Sequence, residues 1–190
     1  MSILNTTATP QFLAEPPDWS KPVSVETAWA TNIMEARDGS EQRSRRRDKA
    51  RFRLAYTLAA LNIGQFSVRR AKSLLEQAAA VVAPVWTDEF TLEGASVGTG
   101  AATADLGESL TLQKFKVGSY AYFQQAGKTS TFRRILAVDG DTLDLAAGGA
   151  DTFTAGATVI PCILGLPAEG ANFQLAKLDD SDEAVVIEEL

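Results

Sequence analysis

The chain has 190 residues, 45% hydrophobic and 22% charged, with a formal net charge of -6; this is globular composition, enough for one core or two small ones, and it excludes disorder throughout. There is no histidine and one cysteine, Cys162, which excludes Ser-His-Asp and Cys-His catalysis, an internal disulfide and any zinc site built from several thiolates. Charge is uneven: residues 1 to 72 hold 12 basic against 7 acidic side chains (+5), and residues 73 to 190 hold 6 against 17 (-11), so identical subunits packed head to tail would bring opposite charges together.

Residues 1 to 24 carry Pro10, Pro16, Pro17 and Pro22 and little periodicity, which predicts an extended arm. Phe12 and Trp19 are its large apolar side chains, expected to dock on the chain's own surface or on a neighbour's. The arm lacks the basic start and sustained apolar run of a secretory signal, and no segment reaches the ~20 apolar residues of a membrane span. Synthesis in a cytosol is therefore expected, with the product soluble or part of an assembly.

The stretch VETAWATNIMEAR alternates loosely and fits a strand or a short helix. Asp38-Gly39 is a turn signal. Seven basic residues then fall between Arg43 and Arg53. Arg45, Arg46 and Arg47 are consecutive and cannot share one strand face, so a loop or the start of a strand is expected. Three uses fit the run: a solvated loop, salt bridges to another subunit, or nucleic acid. No aromatic interleaving or groove-reading helix accompanies it. ARFRLAYT alternates as a half-buried strand.

Ser67 to Ala80 keeps helical spacing, with Ser67 as the cap and Ala and Leu as strong helix formers, and predicts one helix. Pro84 ends any helix, and Trp86 and Phe90 supply core surface. From Leu92 small residues dominate. Short alternating segments follow, separated by turn signals, with Asp139-Gly140 as a hairpin signal. They predict a small closed barrel or sandwich. The acidic end holds one candidate strand, Ala184 to Ile187.

The expected organisation is α+β but mostly β: an arm over 1–24, an α+β core over 25–91, a small all-β barrel or insert over 92–166, and an acidic tail over 167–190 whose strand returns to the core. The glycines of GASVGTGAATADLG lack a following Gly-Lys-Ser/Thr, so a β-loop is expected rather than a phosphate cradle. DDSDE lacks calcium-loop spacing and reads as a solvated face. Asp139, Asp141 and Asp144 read as turn chemistry. No catalytic residue, cofactor or metal is expected, and Cys162 sits in an apolar run as an inert thiol.

The stretch DGSEQR, Asp38 to Arg43, resembles the Gly-x-x-Gln-Arg element of phage distal-tail and lambda-type minor tail proteins. Gly39, Gln42 and Arg43 match it; Ser40 replaces the family's aromatic and its first glycine is missing. FRLAYTLAALN, RRAKSLLEQAA and APVWTDEF follow in the family's order of strand, helix and aromatic return. The likeness covers about residues 25 to 91, and the β segment after it is similar to the barrel appended in longer tail proteins. The resemblance implies a split-barrel-like core with one helix, assembled as a ring, expected as a hexamer, at the end of a tail tube. Its partners would be further copies, the tail tube and the tip or hub proteins, with no membrane and no specific nucleic acid. It implies a virion location, assembly in the host cytoplasm and no catalysis. Interface contacts are expected at Arg43, Arg45, Arg46, Arg47, Phe12 and Trp19. A head–tail connector, a tail terminator and a nucleic-acid-binding accessory protein are the alternative roles.

Overall fold

The computed structural model describes residues 10–28, 31–35, 41–45, 51–57, 80–94, 96–107, 115–167 and 184–189. The described residues form thirteen strands: β1 (Gln11–Phe12), β2 (Ser24–Ala28), β3 (Thr31–Glu35), β4 (Glu41–Arg45), β5 (Arg51–Thr57), β6 (Val81–Pro84), β7 (Phe90–Thr91), β8 (Ala102–Asp105), β9 (Tyr120–Gln124), β10 (Thr131–Asp139), β11 (Thr142–Leu145), β12 (Thr158–Pro167) and β13 (Ala184–Glu189). The expected α+β class is corrected. Among the described residues there is no helix, and strands make up about 50% in a mixed sheet. The helix expected over Ser67 to Ala80 lies outside the described residues except for Ala80. Ala80 is not helical: its carbonyl accepts the Gln11 N–H at 2.8 Å, at the start of the parallel β1–β6 pair.

The main sheet runs β2-β5-β13-β12-β9-β10-β11-β8, with β6 and β7 also on β12 and β1 on β6. The tail strand expected at Ala184 to Ile187 is β13, inserted antiparallel between β5 and β12. VETAWATNIMEAR, open between strand and helix, supplies β2 and β3.

Strand β12 organises the fold. Residues 158–161 pair with β9 and 162–165 with β6, while its two ends also meet β7 and β13. Pro161 stands at the handover, where a missing N–H disturbs the ladder least, and its carbonyl accepts the Val85 N–H at 2.8 Å.

Two cores lie on opposite faces of a shared wall. Tyr120 and Tyr122 of β9, Phe132 of β10, and Ile160 and Cys162 of β12 pack with Leu13, Leu54, Tyr56, Val82 and Trp86. The alternate positions, Ala121, Phe123, Ile135 and Val159, pack with Leu92, Leu106, Leu143, Leu145 and Phe153. This is period-two geometry with both faces covered. Each fully buried Leu, Ile or Phe contributes about 1.5–3 kcal/mol against exposure.

Around the second core the strands close on themselves. Leu92 donates to Ala157 beyond β12's start, and Glu93 donates to Asp105 of β8, both at 2.9 Å. Gly94 permits the approach: a Cβ there would lie 2.6 Å from the Asp105 Cβ. The β10–β11 register, Asp139 opposite Thr142, makes Gly140-Asp141 the two-residue loop, one position later than Asp139-Gly140. Gly140 has φ 60, the left-handed value that the first loop position of such turns requires.

Candidate functional site

The arm is built into the molecule. Leu13 is fully buried and donates to the Val82 carbonyl at 2.9 Å. Asp18 donates its N–H to the Thr57 carbonyl at 2.7 Å, tying the arm to the end of β5. Phe12 docks on the chain's own surface, 4.8 Å from Phe132 and 5.2 Å from Tyr120 between ring centroids. Phe132 stacks in turn against Tyr122 at 4.7 Å, and Tyr122 meets Trp86 at 5.7 Å. A continuous line of five rings thus joins arm, wall and first core, at separations where aromatic pairs attract.

Beside this line lies a cleft of about 300 Å³ lined by Phe12, Ala14, Glu15, Ser130, Thr131 and Phe132. Two phenylalanines and an acidic residue thus share the lining with the Ser130–Thr131 stretch at the start of β10. Burial raises the Tyr122 pKa; the Ser130 hydroxyl works against that shift and the Glu15 charge adds to it. Burial also raises that of Tyr56, again with a contribution from Glu15.

In that seam the Tyr56 hydroxyl and the Trp86 Nε1 are buried without a completed hydrogen bond. The indole N–H is near enough to favour the Tyr56 phenolate, but its geometry falls short of a bond. Cys162 is buried beside them, its Sγ 3.7 Å from the Ile160 carbonyl, and burial pushes its pKa well above the ordinary thiol value. That is an unreactive thiol.

The sequence-predicted interface residues divide. Phe12 lines the cleft. Trp19 is 62% exposed, on a turn where the Asp18 Oδ1 accepts the Ser20 N–H and the Asp18 carbonyl accepts the Lys21 N–H. Gln42, Arg43 and Arg45 are in β4, opposite Met34, Ile33 and Thr31 of β3. Gly39, Arg46 and Arg47 lie outside the described residues. The β3–β4 pair is a separate two-stranded sheet. Two residues separate β2 from β3 and five separate β4 from β5, so the basic run carries three more residues than the chain opposite it.

Sequence reasoning missed Glu15, Ser130, Thr131 and Phe132 as cleft residues. Only Phe132 carried a signal, as an aromatic in an alternating strand. Arg133 was also missed. It is 1% exposed and donates through Nε to Ala146, Nη1 to Gly98 and Nη2 to Gly100, at 2.7, 2.7 and 2.5 Å. Burial lowers its pKa, but a guanidinium stays protonated regardless. It clamps the glycine-rich loop to the barrel. Among the described residues no group of three or more acidic, histidine or cysteine side chains is placed to hold a metal ion.

No protein-family model matches the chain, and no curated protein matches it.

Proposed function

We propose that the chain is a structural subunit of a long-tailed bacteriophage tail, a distal-tail or tail-tip ring component linking the tail tube to the tip proteins. The observation that supports this is the β3–β4 hairpin. It contains Gln42 and Arg43 of the tail-protein element and, among the described residues, pairs with nothing but itself. A lone two-stranded hairpin is marginal in water, and its open edges invite a partner. The basic first part of the chain and the acidic remainder favour contact between copies over contact with nucleic acid. In this reading the protein positions other proteins and carries out no chemistry.

Immunogold labelling of particles from lysed cells that carry the gene tests the role. Label at the distal end of tails is expected. Label at the head–tail junction would assign a connector or terminator role instead, and particles without label would end the virion reading. Affinity of the purified chain for duplex DNA that falls steeply with salt would favour the accessory role.

A further inference from the structure

We propose that the outer edge of β2 receives strand β4 of a second copy of the chain, an inference that rests on the tail-subunit reading and names its contact. Among the described residues β2 pairs with β5 alone. A strand in that position presents a row of backbone N–H and C=O groups ready for another strand. The edge is accessible: Val25 is 39% exposed, and Glu26 and Thr27 beside it are exposed too. Successive side chains point to opposite faces, so both faces of β2 are open here. Leu54, opposite Val25, is fully buried, which puts β2 at the margin of the first core. The usual guards of an edge are missing, since SVETA holds no proline and no lysine. Its one charged residue, Glu26, lies 3.6 Å from Arg53 of β5 and keeps that partner.

The occupant follows from what else the chain leaves open. Strands β3 and β4 form a sheet of their own, so each has one edge unpaired among the described residues. Both are five residues long, as β2 is. Backbone bonds carry the contact, and charge selects the strand. EQRSR holds two bases and one acid, whereas SVETA and TNIME hold one acid and no base each. A two-fold pairing of β2 with β2 centres Glu26 on Glu26, and like charges directly opposite are destabilising. Antiparallel pairing of β4 with β2 centres Arg43 on Glu26 instead, with Gln42 opposite Thr27 and Ser44 opposite Val25. Among the described residues the chain's own hairpin does not take this edge. Edge and hairpin are different surfaces, so the contact runs head to tail and closes into a ring or continues as a filament.

Cysteine pairing in the full-length chain tests this, because the native thiol, Cys162, is buried. Thr27→Cys protein mixed with Gln42→Cys protein is expected, on mild oxidation, to give disulfide-linked dimers holding one of each. The Thr27→Cys/Gln42→Cys chain is expected to give multiples beyond the dimer. Val25→Cys with Ser44→Cys repeats the test two residues along, and thermal melts identify any variant that fails to fold. Trp19→Cys, at an exposed position off both strands, controls for random collision. It is expected to link about ten-fold less readily, because only paired positions are held within ~7 Å. Dimers of Thr27→Cys with itself would show two-fold pairing of β2, and a bond within one chain would seat the hairpin on its own β2; either overturns the contact. Linking no better than the Trp19→Cys control, in protein that still sediments as an oligomer, would also overturn it and leave the tail reading standing. A wild-type chain that never self-associates would overturn both.

Discussion

Arg133 donates its Nη1 to the Gly98 carbonyl at 2.7 Å across 35 residues of sequence, and so holds the glycine-rich loop against the barrel from inside it. Neighbouring donations to Gly100 and Ala146 complete the fork. Arg133→Ala is expected to destabilise the fold by about 3 kcal/mol, through lost charge-assisted bonds and a vacated site. Arg133→Lys is expected to cost about 2 kcal/mol, since a point charge cannot span three carbonyls. Urea unfolding checks both, and a lysine variant as stable as wild type would show that the charge, not the fork, holds the loop.

The Tyr56 hydroxyl makes the opposite case. It is buried without a completed bond, so Tyr56→Phe is expected to be neutral or to stabilise by up to about 1 kcal/mol. Burial raises the Tyr56 pKa in the fold, whereas an unfolded tyrosine ionises near pH ~10. Above that pH the unfolded state gains by losing the proton, so stability falls as pH rises. Tyr56→Phe should make that alkaline fall shallower. A clear loss of stability at neutral pH would mean that a bridging group satisfies the hydroxyl.

Phe12 and Trp19, equivalent in the sequence, should separate in the laboratory. Phe12→Ala removes the ring that touches Tyr120 and Phe132 and is expected to cost about 2 kcal/mol. Trp19, 62% exposed, is expected to change by no more than ~0.5 kcal/mol on replacement by alanine. Equal effects in thermal or urea unfolding would contradict the docking of the arm.

Asp151 links two turns, its Oδ2 accepting the Thr129 N–H at 2.7 Å. That bond, aided by the Thr129 hydroxyl, holds the Asp151 pKa below the ordinary carboxylate value. A depressed pKa contributes stability above the unfolded value, and the contribution disappears as pH falls through the folded one. Asp151→Ala should therefore be less stable than wild type at neutral pH, and the gap should narrow once pH falls below about 3.9. A gap that persists unchanged in acid would show that the bond does not depend on charge.

Local signals were legible where period and turn chemistry act within a few residues. RFRLAYT alternates and is β5, and the turn signal at Asp139-Gly140 marks the β10–β11 hairpin to within one residue. What was not legible is non-local. Phe132 and Ile135 look like one apolar set, yet an odd spacing puts them on opposite faces of β10, and they pack into separate cores. Arg133 between them looks like a solvent position, because its three carbonyl partners lie 13 to 35 residues away. The cleft forms only when the arm packs beside the β9–β10 turn, a pairing that no local pattern encodes. The helix expected over Ser67 to Ala80 rested on spacing, a cap and propensity; of its residues only Ala80 is described, and there the carbonyl bonds the arm.

The central claim is that copies of this chain assemble with one another. Native mass spectrometry of the purified full-length chain over a range of concentrations tests it most directly. The account predicts one closed oligomer, expected as a hexamer, whose share grows with concentration and shrinks with salt. A monomer at every concentration up to the limit of solubility would contradict it.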